Sequence, residues 1–538
     1  MEGKTQANTQ GKVYLVGAGP SDPELLTLKG LRVLQQAQVV IYDALIGHGI
    51  YSMIPQGAEK IAAGKRAGSH TMKQEDINRL ILEQAQKGRR VVRLKGGDPF
   101  LFGRGGEELE LLIRHQIPYE IVPGVTSAVA AAAYAGIPVT YRGISSGVHI
   151  LTGHKKQDEP LDIDFESLVR AGGTTVVLMG MSALHEIAAG FLQAGMPPQT
   201  PAAVIEQGTG ARQKSVVASL ASIVEEAGRH SLRAPAVIVI GAVAACGKRY
   251  AWWEKLPLSG CRILVTRPAA RSGALAGLLR EQGAEVLEIP AIRTQAKDVG
   301  AQLLKVLAEI GTYRYLAFTS PAGVEHFFEL LDRLEMDVRC IGQVKLAAIG
   351  SATGDALRKH GLRPQLMPER YNGAALGRLL QASMQDGEKV LLLRSSMGSR
   401  ELVEQIQAKK QIEVTDLAIY DTITAENTID AENMTDAENT ADTANTMETN
   451  AYLRALLEEG EIDLVMFTSA STVRGFAAMA QGADYTKVNA VCIGEMTAKQ
   501  ACFYGMQAYL SEKETIESMV QAAVRCAFRR RKQDPPNT

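Results

Sequence analysis

Arg93-Leu-Lys-Gly-Gly-Asp98-Pro-Phe-Leu-Phe-Gly-Arg104-Gly-Gly-Glu-Glu108 comes after a short apolar run, Val91-Val92, that reads as the end of a buried strand. Gly96 and Gly97 let the backbone turn sharply and approach a ligand closely. Asp98 puts a carboxylate at the bend, and Pro99 stiffens the chain just beyond it. Gly103, Gly105 and Gly106 open a second bend that presents Arg104, Glu107 and Glu108. A plain surface turn needs one or two glycines. Five, with two phenylalanines and two charged clusters, read as a loop shaped around a ligand, since loops after parallel strands are where such folds bind.

Upstream, the apolar strand Val13-Tyr-Leu-Val16 enters Gly17-Ala-Gly19-Pro20-Ser21-Asp22-Pro23. Residues 24–37 have helical spacing of Leu25, Leu28, Leu31 and Leu34, and a second strand, Val39–Tyr42, ends at Asp43. Strand, GxG, helix, strand and acid resemble a nicotinamide-binding unit. The third glycine is missing, however, and Pro20 and Pro23 interrupt the turn where amides should cradle a pyrophosphate. A nicotinamide-dependent oxidoreductase built on Gly17-Ala-Gly19 stands as the rival reading.

Downstream come a basic loop, Gly64-Lys65-Arg66-Ala67-Gly68, and a helix over about 74–87. Val122-Pro-Gly-Val-Thr126-Ser127 leads into an alanine-rich helix; Thr126 and Ser127 stand either as caps or as ligand contacts. Strands at His149–Thr152, Thr174–Leu178, Ala202–Ile205 and Ala236–Ile240 alternate with helices, which indicates α/β architecture. His154 reads as a polar rim residue, with no second ligand spaced near it for a metal.

A chain of 538 residues is too long for one core, so three or more domains are expected. A net charge of -1 gives no bulk-charge support for a nucleic-acid or membrane partner. The six cysteines include no CxxC pair, which fits a reducing cytoplasm and no zinc knuckle. The histidines form neither HxxxH nor HExxH, so no metal is expected. The first residues carry no apolar signal core, and no apolar run reaches membrane-spanning length.

Gly17-Ala-Gly-Pro20, Lys95-Gly-Gly-Asp-Pro99, Gly103-Arg-Gly-Gly-Glu107, Pro123-Gly-Val-Thr126 and Thr152-Gly-His154 together resemble uroporphyrinogen-III C-methyltransferases of the tetrapyrrole methylase family over about residues 11–248. The resemblance implies a two-domain α/β fold binding S-adenosylmethionine, held by Pro20, Gly96, Gly97, Asp98, Leu101, Thr126, Ser127, Met179 and Gly208. It makes Asp43 the proton acceptor and Lys65 the donor, and turns Arg104 and Glu107 toward the tetrapyrrole. Arg66 and Arg104 suit a substrate rich in carboxylates. Ser21 stands where the family usually has glycine, and would carry strain if that position needs a positive φ. A methyltransferase homodimer is also implied.

Residues 249–260 contain Trp252 and Trp253 and read as a connector whose tryptophans pack onto a domain. The second half repeats itself. Phe318-Thr319-Ser320 is echoed by Phe467-Thr468-Ser469, and Ile349-Gly350-Ser-Ala-Thr353 by Ile493-Gly494-Glu-Met-Thr497. Two such strand–turn–helix units imply two similar α/β domains facing each other. Hydroxyls at four repeated helix starts read as carboxylate contacts rather than caps alone.

With Arg262-Ile-Leu-Val-Thr-Arg267-Pro and Ala418-Ile-Tyr420-Asp-Thr422, these turns resemble uroporphyrinogen-III synthases over about 261–528. In that family the first strand and the last third form one domain and the middle forms the other. The resemblance implies ring closure of hydroxymethylbilane, with Tyr420 helping the hydroxyl leave and Thr319, Ser320, Thr353, Ser469 and Thr497 contacting substrate. Residues 423–450 are repetitive, acidic and poor in large apolar side chains, and read as a disordered insertion. The sequence thus predicts a bifunctional enzyme making uroporphyrinogen III and methylating it to precorrin-2. A non-enzymatic rival is an anion sensor built on the paired C-terminal domains.

Overall fold

The computed structural model describes residues 11–55, 57–64, 72–154, 161–267, 269–408, 411–423 and 437–533. They divide into two compact units. One runs to Pro290 and takes in the chain from 437 to Ala470 and from Met479 onward; the other holds Ala291 to 423 with Ser471–Ala478.

The first unit contains three five-stranded sheets. Strands β1 (Lys12–Gly17), β2 (Val39–Tyr42), β3 (Glu59–Ala62), β4 (Arg90–Lys95) and β5 (Tyr119–Val122) lie all parallel in the order β3-β2-β4-β1-β5. The central strands are buried on both faces because helices cover both, and alternate residues feed two cores. Val40, Tyr42, Val92 and Leu94 enter one; Val13, Leu15, Val39, Ile41 and Val91 enter the other. That second core is closed by helices Gln74–Gln86, through Ile77 and Ile81, and Gly105–Arg114, through Leu109 and Leu112.

β6 (Val148–Thr152), β7 (Thr174–Leu178), β8 (Pro201–Glu206), β9 (Lys214–Ser219) and β10 (Ala236–Ile240) form a mixed sheet ordered β6-β7-β10-β8-β9. β11 (Arg262–Val265) and β12 (Glu285–Glu288) pair in parallel with three strands from the end of the chain. With β18 (Leu464–Phe467), β19 (Asn489–Cys492) and β20 (Gln507–Leu510) the order is β12-β11-β18-β19-β20.

The second unit has one sheet, β13-β17-β16-β14-β15, made of β13 (Arg293–Ala296), β14 (Tyr313–Phe318), β15 (Lys345–Ala348), β16 (Lys389–Ser395) and β17 (Glu413–Ile423). The repeat read from the sequence is physical: β14 and β15 are parallel neighbours followed by helices Pro321–Arg333 and Ser351–Lys359. β18 and β19 are parallel neighbours followed by Ala470–Met479 and Glu495–Phe503. The first strand and the last third of this half share a sheet while the middle forms another, as the synthase resemblance implies.

Two expectations differ from the structure. The helix read over 24–37 is a 3-10 turn, Pro23–Leu25, then a helix, Leu28–Leu34. Thr27 accepts from Gly30 N at 3.0 Å and starts the helix afresh, so a local cap outweighs leucine periodicity. Of the segment 423–450, read as disordered, residues 424–436 lie outside the described residues, and helix Ala437–Glu458 begins after them. Alanine and glutamate favour helix once a packed turn nucleates it, and Leu453 and Leu456 supply buried anchors.

The turn after β1 is not a dinucleotide cradle, in keeping with its missing third glycine and its two prolines. Gly19 N donates to Gly97 O at 3.2 Å and Gly97 N to Gly19 O at 2.8 Å, so the loop is tied to its neighbour rather than entering a helix. The amides of Ser21 and Asp22 are satisfied by Thr209 Oγ1 at 3.0 and 3.2 Å. Trp252 and Trp253 pack on Tyr134, at 5.1 and 4.9 Å between ring centroids. Among the described residues no helix is long and apolar enough to cross a membrane.

Candidate active site

Loops from the carboxyl ends of the first sheet converge by glycine-mediated close approach. A Cβ on Gly17 would lie 2.5 Å from Gly124 Cα, and one on Gly124 2.2 Å from Gly97 O. Gly47 meets the backbone of Ser21, and Gly96 lies against Leu45. A loop of the second sheet joins them: Gly208 leaves no room for a Cβ beside Ala131, while Thr209 holds Ser21 and Asp22. Leu101 packs on the core formed by the alanine helix and the second sheet. Pro20, Gly96, Gly97, Asp98, Leu101, Thr126, Ser127 and Gly208 thereby belong to one loop cluster. Met179 is half-exposed at the end of β7, at φ 54°. Ser21 does not have a positive φ, so the serine carries no strain there.

Asp98 organises this cluster. Its Oδ1 accepts from Phe100 N at 2.8 Å and Leu101 N at 3.2 Å, and its Oδ2 from Gly124 N at 3.0 Å. Thr126 caps the helix Ser127–Tyr134 through Ala128 N. Gly97 adopts φ 68°, and a Cβ on it would touch Ser127 N at 3.9 Å and Thr126 Cα at 4.0 Å, so its backbone lies against the start of that helix. Glycine backbone beside a helix start, flanked by Leu101, fits a ligand with a polar end and an apolar body.

Asp43 directly follows β2 and accepts from the Arg93 guanidinium at 2.5 Å. Arg104 sits at φ 56° before helix Gly105–Arg114 and forms two bonds to Glu107, at 2.8 and 2.7 Å. The pairing raises the arginine and lowers the carboxyl from their ordinary values. Both line a cavity of about 470 Å³ with Met72, Lys73, Gln74, Glu75 and Asn78. Lys65 lies outside the described residues.

In the second unit Tyr420, buried in β17, shares a 2.8 Å hydrogen bond between its hydroxyl and Ser320 Oγ. The Ser320 hydroxyl also caps its helix, accepting from Gly323 N at 2.9 Å. His326 stacks on Tyr420 at 5.1 Å and was not anticipated from sequence, since helical spacing alone marks it as one more polar position. Thr319 is half-buried beside Ser320. Thr353 is buried inside its helix, behind the Gly350 cap, so it neither caps nor faces solvent. Ser469 and Thr497 belong to the other unit, where Thr497 is likewise buried behind Gly494.

The chain matches the family model for Tetrapyrrole (Corrin/Porphyrin) Methylases over residues 12–224, and that for Uroporphyrinogen-III synthase HemD over 273–521. Porphyrin biosynthesis protein HemD of Ruminiclostridium josui is 39% identical over 510 residues, covering 95% of this chain and 97% of that protein. Uroporphyrinogen-III C-methyltransferase of Bacillus subtilis is 38% identical over 398 residues, 74% of this chain and 77% of that protein. The S-adenosyl-L-methionine-dependent uroporphyrinogen III methyltransferase of Methanosarcina barkeri is 51% identical over 234 residues, 43% of this chain and 92% of that protein.

Proposed function

We infer the function from one premise: this chain belongs to the tetrapyrrole methylases through its N-terminal half and to the uroporphyrinogen-III synthases through its C-terminal half. It is an enzyme of tetrapyrrole biosynthesis carrying a methyltransferase half and a synthase-type half. In our reading the C-terminal half closes hydroxymethylbilane to uroporphyrinogen III with inversion of ring D. The N-terminal half then methylates C2 and C7 to give precorrin-2. The carrying observation is that both family matches lie in order on one chain whose relative in R. josui is similar over 95% of it. The nicotinamide reading has no support, because its turn amides are already satisfied.

S-adenosylmethionine, when bound, supplies an electrophilic sulfonium methyl. Gly96, Gly97, Asp98, Leu101, Thr126, Ser127, Pro20, Met179 and Gly208 would hold it. Asp98 keeps the loop in register by its three backbone bonds. Arg104 exchanges its Glu107 partner for a substrate carboxylate. Asp43 accepts a proton from the ring system after the methyl is in place. Lys65, whose placement the structure does not describe, keeps the donor role that the resemblance implies. In the synthase half Tyr420, oriented by Ser320, donates to the departing hydroxyl and Thr319 beside it contacts the substrate, whereas Thr353 and Thr497, buried in their helices, take no such role.

We also carry a homodimer through the methyltransferase half, supported by exposed Tyr141, Ile144, Val148, Tyr250 and Trp252. A reducing cytoplasm is supported by six free cysteines. Mass analysis of products from hydroxymethylbilane plus S-adenosylmethionine tests the whole reading. Dimethylated product supports it, and failure to consume hydroxymethylbilane removes the synthase assignment.

A further inference from the structure

We propose that Arg93 is a positioning residue for methyl transfer, clamping Asp43 from inside the protein. The inference rests on the reading of Asp43 as proton acceptor.

Arg93 lies on the core face of β4 that it shares with Val91, and is 2% exposed. Its guanidinium bonds Asp43 Oδ1 at 2.5 Å, Glu108 Oε1 at 3.1 Å, and the carbonyls of Ile41 and Leu94 at 3.3 and 3.4 Å. Lys95, two residues on, reaches the same Glu108 oxygen at 2.8 Å, and Gln74 Nε2 reaches it at 3.2 Å. Burial, reinforced by Arg93, pushes the Lys95 ammonium below its ordinary value. Glu108 Oε2 is buried without a partner among the described residues.

The three buried members, Arg93, Lys95 and Glu108, sum to one positive charge. Asp43 neutralises it, and is the only member with appreciable exposure, at 30%. Buried ion networks rarely add stability over well-packed apolar groups, so this one is not explained by stability alone. What it does provide is a carboxylate fixed at the mouth of the loop cluster. Asp43 Oδ1 is engaged, its amide is held by Leu94 O at 3.1 Å, and Oδ2 accepts no hydrogen bond from the described residues. Once the ring carbon has gained its methyl, a neighbouring C–H bond gives its proton to Oδ2 and its electron pair to the ring. A carboxylate that swings by an ångström loses that transfer.

The test uses the full chain with S-adenosylmethionine and uroporphyrinogen III. Arg93→Met should lower the single-turnover rate of formation of the deprotonated methylated product by ~10²-fold, the scale of a misplaced reacting group. S-adenosylmethionine affinity by calorimetry should be unchanged. Arg93→Lys, which keeps charge without the fork, should recover part of the rate. The double variant Arg93→Met/Glu108→Gln restores charge balance and guards against simple misfolding. It should fold and remain slow; recovery of the wild-type rate would mean that Arg93 only neutralises Glu108, and overturns the proposal. Asp43→Asn, run in parallel, separates proposal from premise. A slow Asp43→Asn beside a wild-type Arg93→Met defeats the clamp alone, whereas a wild-type Asp43→Asn defeats the acceptor reading and the clamp with it.

Discussion

Both oxygens of Asp98 are spent on backbone amides, of Phe100, Leu101 and Gly124. Its contribution is to shape the loop. Hydrogen bonds to a charged group contribute about 1.5–3 kcal/mol each, so Asp98→Ala should weaken S-adenosylmethionine binding by at least ~10-fold. Synthase turnover should persist, and calorimetric titration with unchanged affinity would reject the loop assignment. Tyr420→Phe keeps the ring stacked on His326 and removes only the hydroxyl bound to Ser320. Loss of a general acid costs ~10²–10⁴-fold, and the substrate's own pyrrole nitrogen assists departure, so ring closure should slow by the lower figure. Methylation of supplied uroporphyrinogen III should be unaffected; the ratio of uroporphyrinogen III to its uninverted isomer is the readout. Cys492 is buried in β19, and burial pushes its thiol up to about 12, so little thiolate exists at neutral pH. Brief alkylation at mildly alkaline pH should mark exposed Cys502 and leave Cys492 until the chain unfolds, as peptide mass mapping will show.

Helix Ala437–Glu458 carries the one large departure at the scale of elements. Its low-complexity start says nothing about docking, yet its second half seats Tyr452 on Tyr51, 4.4 Å between centroids, with its hydroxyl 2.5 Å from His48 Nδ1. Glu448 accepts from Tyr51 at 3.1 Å, and Lys60 lies over the Tyr51 ring. Composition records what a segment lacks, and two side chains suffice to anchor a helix that composition leaves undecided. Tyr452→Ala should destabilise this unit by about 2 kcal/mol, less than truncation of a fully buried aromatic, as read by denaturant unfolding. Deleting 427–445 spares both anchors. Because loop closure changes by only about 0.6 kcal/mol per doubling of length, both activities should survive it in a soluble variant.

Across the whole molecule, the first unit joins the methylase-type sheets to one synthase-type sheet. Glu285 accepts from Ala211 N at 2.9 Å and binds Arg262, Arg212 pairs with Asp463 at 3.1 Å, and Glu288 N meets Ser52 Oγ. A fragment ending at residue 260 has two complete sheets but loses these contacts and the Tyr452 anchor. It should bind S-adenosylmethionine and melt several degrees below the intact chain, about what a few kcal/mol produce in a domain of this size. Scanning calorimetry giving equal midpoints would show that the junction adds nothing.

The sequence alone determined the α/β class, the glycine-built loops, the duplicated turn–helix units and both family resemblances. Each depends on local signals: period-two and period-3.6 burial, and glycines where backbones must touch. Read from sequence, strand β4 ends at Val92; the structure carries it on to Lys95, which puts Arg93 and Lys95 on one face as two cations that must find an anion. Which anion was a matter of tertiary structure. Asp43 lies 50 residues from Arg93, Thr209 lies 188 from Ser21, and Ser320 lies 100 from Tyr420. A hydrogen bond is set by distance in space, and only the packed sheets bring such partners within about 3 Å of each other.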